Sequence, residues 1–214
     1  MKQKKLTPAN LLLGLLGTLF LLSLCVTLTL NARFLYYQDL DALSQESGLP
    51  AEEIRANYDA LIDYNSMFFH GELSFPTLPM SEHGQIHFEE VKQIFVFLQY
   101  ACIISGILFL SGAWLQLRKK RYGFLFTTWV ISTVFPLLVG LLAALNWDWF
   151  FVAFHHLLFR NDYWLFDPAT DPIIDLLPDS YFFRCLVVIA VLMVVLTQGC
   201  GLLYRRFAKK KPTP

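Results

Sequence analysis

The chain has 214 residues, 56% of them hydrophobic and 16% charged, and its formal net charge is zero. With a mean hydropathy of +0.48 it is too apolar for one soluble domain and is read as a membrane protein, with no nucleic-acid partner expected. All four cysteines, Cys25, Cys102, Cys185 and Cys200, fall inside apolar stretches, which excludes a disulfide framework in the segments between them and makes them packing residues.

A crossing helix needs about 20 mostly apolar residues. Four stretches qualify, at about 9–30, 91–117, 122–146 and 181–204, so the chain is read as one membrane domain over 1–214. The zero net charge hides a separation. Lys2, Lys4, Lys5, Arg118, Lys119, Lys120, Arg121, Arg205, Arg206, Lys209, Lys210 and Lys211 lie at the two ends and in the second connection, and no acidic residue lies there. Every Asp and Glu falls in residues 32–90 or 147–180. The positive-inside rule then predicts both termini in the cytoplasm and two outer segments, 31–90 and 147–180. The expected architecture is an all-α protein of four transmembrane helices with a helical and irregular extracytoplasmic cap.

In chain order, the first apolar run is longer than a signal peptide's and no A-x-A site follows, so it is read as an uncleaved span. Gly48-Leu49-Pro50 predicts a turn. Ala51–Asp63 predicts an amphipathic helix, with Ile54, Tyr58, Leu61 and Ile62 on one face. Phe68-Phe69, Leu73 and Phe75 are apolar enough to lie on the membrane or on the other outer segment. Pro76 and Pro79 break structure, and Ser81 is a cap for a helix continuing into the second span, its first turn weakened by Gly84. The third span carries Pro136, an expected kink. Asn146–Arg160 is too short to cross, and its aromatics predict a helix in the outer interface or a shallow re-entrant segment. Pro168, Pro172 and Pro178 then predict an extended return to the fourth span, where Arg184 and, on the second span, Lys92 are placed to snorkel to headgroups.

All five histidines, His70, His83, His87, His155 and His156, fall in the two outer segments. Histidine is the side chain suited to proton transfer near neutral pH, and at interfacial depth it meets lipid esters. No G-x-S-x-G, H-E-x-x-H or C-x-x-C is present, which leaves no hydrolase nucleophile, zincin or redox signature. His83 and His87 are spaced i, i+4 and with His155 or His156 would make three zinc ligands, so a zinc-dependent membrane hydrolase stays open beside a histidine acid–base pair. A non-enzymatic lipid- or lipoprotein-binding membrane protein is the third reading. It would tolerate loss of the histidines.

The motifs add to this. Glu82…His87-Phe88-Glu89-Glu90-Val91-Lys92 is one block. Phe154-His155-His156-Leu157-Leu158-Phe159, Trp164-Leu165-Phe166-Asp167-Pro168, Asp171-Pro172-Ile173-Ile174 and Leu177-Pro178 form a second, and Asn57-Tyr58-Asp59 through Tyr64 a weaker third. Together with the four spans they resemble the lipoprotein intramolecular transacylase family (Lit) of Gram-positive bacteria. Phe88 and Glu90 depart from that family's methionine and aspartate and keep their chemical type. The resemblance implies a plasma-membrane enzyme that acts on diacylglyceryl-modified lipoproteins at the outer face, in contact with phospholipid, and needs no cofactor. It moves the sn-2 acyl chain of the glyceryl group to the α-amino group of the N-terminal cysteine. His87 and His155 are the implied catalytic pair, with His156 as the alternative to His155. Tyr58, Tyr64, Glu90, Lys92, Trp164 and Asp167 are the implied supporting or substrate-binding residues. The oligomeric state is not legible.

Overall fold

A computed structural model describes residues 6–208, and among them the chain is helical with no strand. The basic residues at 2, 4, 5 and 209–211 lie outside the described residues. The order is α1 (Pro8–Asn31), α2 (Phe34–Tyr37), α3 (Leu40–Ser47), α4 (Ala51–Tyr64), α5 (Glu82–Arg118), α6 (Gly123–Leu145), α7 (Trp147–Leu158), a 3-10 turn at Pro172–Leu176, and α8 (Asp179–Ala208). Of these, α1, α5, α6 and α8 are long and apolar enough to cross a membrane.

Local chemistry sets several boundaries. Gly48 ends α3 in the left-handed region, at φ 74°, a conformation that costs glycine nothing. Glu52 and Glu53 occupy the first turn of α4, where negative charge meets the positive end of the helix. Ser81 Oγ accepts from the Gly84 N–H at 3.0 Å and caps α5. Asn146 does the same for α7 through the Trp149 N–H at 3.0 Å.

The fold divides into two compact units. One contains the described residues up to Val26, Leu98–Leu141 and the described residues from Val187 onward. It holds parts of α1, α5, α6 and α8, packed through Leu13, Phe109, Phe124 and Leu125. Small and hydroxyl residues let these helices approach, as expected in lipid. Thr18 and Ser132 share a hydrogen bond of 2.9 Å, and Thr127 Oγ1 donates to the Asn10 carbonyl at 2.6 Å.

The other unit comprises Thr27–Phe97 and Leu142–Leu186 and holds all five histidines. Its core is built from Tyr36, Ile54, Tyr58, Ile173 and Leu176, all essentially buried. The Tyr36 and Tyr58 rings stack at 3.7 Å, Tyr58 and Tyr181 share a 2.7 Å hydrogen bond, and Tyr36 donates to the Leu176 carbonyl at 2.7 Å. Helix α4 buries the predicted face, Ile54, Tyr58, Leu61 and Ile62. Of the residues expected on the membrane or on the other outer segment, Leu73 and Phe75 are buried in this unit and Phe68 is 78% exposed. Two expectations change. The stretch expected to be an extended return forms the 3-10 turn at Pro172–Leu176, since proline suits the first position of a helical turn. Arg184 does not reach for headgroups: it pairs with Asp39 at 2.8 Å and donates to the Leu35 carbonyl at 2.9 Å. All four cysteines are free.

Candidate active site

Helix α5 opens inside this second unit, and its first turn is fixed from across the chain. The Asp171 carboxylate, 2% exposed, accepts from the Ser81 N–H at 2.8 Å and from the Thr170 hydroxyl at 2.7 Å. A Cβ on Gly84 would stand 2.2 Å from Asp171 Oδ1. Glycine at 84 is therefore the space into which the carboxylate fits, not a weak point of the helix. One turn on, His87 is 6% exposed, and its Nδ1 is buried with no hydrogen-bond partner.

Helix α7 brings the second imidazole. The His155 ring centroid lies 6.2 Å from that of His87. Its Nδ1 is 2.7 Å from the Phe151 carbonyl oxygen. A carbonyl only accepts, so in the neutral ring the proton sits on Nδ1 and the lone pair on Nε2. Desolvation pulls the His155 imidazole below its ordinary value of 6.5; the Phe151 carbonyl and Asp179 act the other way, and His156 adds to the lowering. His155 is therefore neutral at pH 7 with a free basic nitrogen.

Aromatic rings enclose the pair. Trp164 stacks on His155 at 4.6 Å, and Phe151 lies against the same ring at 4.2 Å. Phe159 borders both imidazoles, at 4.7 Å from His87 and 5.8 Å from His155. Phe166 sits 5.4 Å from His87. Trp164 is 8% exposed, and its Nε1 is a buried donor without an acceptor.

The remaining sequence candidates take different places. His156 is exposed and meets Trp164 edge-on at 5.6 Å, so His155 is the member of the pair beside His87. His83 is exposed and stacks on Tyr163 at 4.2 Å, and His70 is exposed. Among the described residues no three His, Cys, Asp or Glu side chains come together as metal ligands do. Glu90 accepts from Asn161 Nδ2 at 2.9 Å through Oε1. Lys92 donates to the Phe69 carbonyl at 3.1 Å, with its ammonium 4.1 Å from the Tyr64 ring centre and 4.9 Å from that of Phe69. Tyr58 lies in the core described above. Asp167 is exposed and shapes the turn ahead of Asp171: its side chain accepts from the Ala169 N–H at 2.9 Å and its carbonyl from the Asp171 N–H at 2.8 Å. Sequence reasoning missed Asp171 as a site-forming residue; the signal was an aspartate inside the second motif block with no role assigned.

These features define a membrane-integral helical protein carrying a desolvated histidine pair. The sequence model of the family described as "Lipoprotein intramolecular transacylase Lit" matches residues 11–182. The in meso structure of the membrane integral lipoprotein intramolecular transacylase Lit from Bacillus cereus is 35% identical, with a TM-score of 0.91 over 94% of this chain and 95% of that one. Two variants of that protein, with one histidine replaced by arginine or by alanine, match with TM-scores of 0.84 and 0.85. Each covers 94% of this chain, over 91% and 93% of their own. No curated protein sequence matches. The chain belongs to the lipoprotein intramolecular transacylase family, and it is a membrane-integral enzyme of that activity.

Proposed function

We propose that this enzyme moves the sn-2 acyl chain of a diacylglyceryl lipoprotein to the α-amino group of its own N-terminal cysteine, leaving a lyso-glyceryl group. The observation that carries the reading is the His87–His155 pair, 6.2 Å apart, with His155 Nδ1 bound to the Phe151 carbonyl and Nε2 left basic. The nucleophile belongs to the substrate, so the enzyme needs no serine or cysteine of its own. The amine nitrogen attacks the ester carbonyl carbon, and His155 Nε2 takes its proton. The tetrahedral adduct then breaks its bond to the glyceryl oxygen. His87 protonates that oxygen and regains a proton from His155, so the pair finishes as it began.

An oxyanion forms between the two steps and needs a donor in a water-poor site. The unpartnered Trp164 Nε1–H, on a ring stacked against His155, supports Trp164 in that role. Lys92 has its ammonium spent on Phe69 and Tyr64, which supports a framing role for it and for Tyr64. Tyr58 and Asp167 are assigned to holding the walls, and Glu90 to the substrate. Amine and ester reside in one molecule, so much of the rate gain comes from folding the lipid head until they meet. The division of charge along the sequence supports cytoplasmic termini and an active site on the extracytoplasmic face, beside phospholipid.

The test is expression in a host lacking N-acylation, followed by mass analysis of one lipoprotein's N-terminus. Lyso-product with an N-acyl group is expected from the wild type, and none from His87→Ala or His155→Ala. Near-normal product from either variant refutes the assignment.

A further inference from the structure

Glu90 presents a contradiction that the proposed reaction resolves. It lies three residues past His87 on α5, so the two side chains share a helix face with Cβ atoms about 5–6 Å apart. One carboxylate oxygen is pinned by Asn161 Nδ2 at 2.9 Å. Asn161 is itself fixed, because its Oδ1 accepts from the Tyr163 N–H at 3.1 Å. The other oxygen, Oε2, is buried and has no partner. No ion pair among the described residues includes Glu90. The nearest cation in sequence, Lys92, is held by the Phe69 carbonyl and the Tyr64 ring. A buried carboxylate oxygen without a donor or a counter-charge is costly, and a cationic N–H group that arrives with the substrate would repair it.

We propose that Glu90, oriented by Asn161, is the receptor for the α-ammonium group of the substrate's N-terminal cysteine. This rests on the transacylase reading above. An α-amino group, with a pKa of about 7.7–8, arrives mostly protonated. The carboxylate holds it one helical turn from His87; one proton is released to water, and the neutral amine so formed attacks the ester and gives its second proton to His155 Nε2, as in the reaction above. The site selects a free N-terminus: an amide or a desamino group at that position offers no charge.

The experiment uses the full-length protein and two lipopeptides carrying ether-linked chains, which cannot transfer. One has its cysteine α-amine and the other has hydrogen in its place. Wild type is expected to bind the amine form about tenfold more tightly, and the preference should fade as the pH rises past about 8 and the ammonium is lost. Glu90→Gln should bind both forms alike, at the wild-type affinity for the desamino form, which also reports an intact fold. Asn161→Ala should weaken the preference without abolishing it, and it serves if Glu90→Gln does not fold. Equal binding of the two forms by wild type, or a preference that survives in Glu90→Gln, overturns the proposal. Neither result touches the acyl-transfer reading, which is judged separately by lyso-product from the ester-linked lipopeptide.

Discussion

His155 Nδ1 sits 2.7 Å from the carbonyl oxygen of Phe151, one turn earlier on the same short helix. This one contact selects the tautomer, aims the ring and leaves Nε2 as the basic atom. Helix α7 thereby supplies the orientation that a neighbouring carboxylate can supply to an imidazole.

The first prediction concerns pH. His155 is held below its ordinary value of 6.5, chiefly by desolvation, and the proposed reaction uses it as the neutral ring. The midpoint of the acid limb of kcat should therefore lie below pH 6.5, with activity rising above it until substrate ionisation intervenes. The same shift makes the unfolded chain bind more protons than the folded one as pH drops through 6.5, so His155 weakens the fold in acid. A kcat profile with a ninefold or greater loss already at pH 7 would contradict the assignment of His155 as base.

The second concerns Trp164. Trp164→Phe keeps a ring against His155 but removes the Nε1–H donor. Loss of one oxyanion donor typically costs about 10²–10³ in kcat. A fall of that order in kcat, with KM little changed, is expected in steady-state assays of a synthetic lipopeptide. A change confined to KM would make Trp164 a binding wall alone.

The third concerns the start of α5. In Gly84→Ala the new methyl would meet Asp171 Oδ1, and overpacking of this kind costs about 1–3 kcal/mol. The variant should unfold at lower temperature and lose turnover, because the first turn, which precedes His87 on the same helix, is displaced. Asp171→Asn retains an acceptor for the Ser81 N–H and should lose less than Asp171→Ala. Thermal unfolding of the purified variants, run beside the lipopeptide assay, checks both statements.

The fourth separates scaffold from chemistry. Tyr181 contributes its hydroxyl to the pair with Tyr58, and a buried hydrogen bond is worth about 0.5–1.5 kcal/mol. Tyr181→Phe should lower the free energy of unfolding by about that amount and leave kcat within about twofold of wild type.

What was legible in the sequence follows from physics that acts locally. The four long helices, the buried face of α4 and the cap at Ser81 are read from hydropathy, periodicity and residue type. These signals need no knowledge of distant contacts. Residue type and depth singled out the histidines, and the family resemblance favoured His155 with His156 as the alternative; residue type alone does not separate them, because adjacent residues on a helix differ only in which way they face. Arg184 looked like a snorkelling residue because sequence gives no sign of Asp39, far away in the chain and 2.8 Å away in space. The three prolines of the return segment suggested extension, and tertiary packing of Ile173 and Leu176 in the core drew the chain into a helical turn instead. Gly84 was read as a defect for the same reason: its partner, Asp171, belongs to a loop that only the fold brings near.

The rings around the two imidazoles carry a further consequence. Phe151, Phe159, Trp164 and Phe166 cover the pair with apolar surface, and an activated ester in such a box meets few solvent molecules. A histidine pair open to solvent would spill the acyl chain as free fatty acid. In the proposed reaction a pair wrapped in hydrocarbon leaves the carbonyl one nucleophile to choose, the nitrogen tethered to the same lipid, and so would make a transferase out of groups that would otherwise serve a lipase.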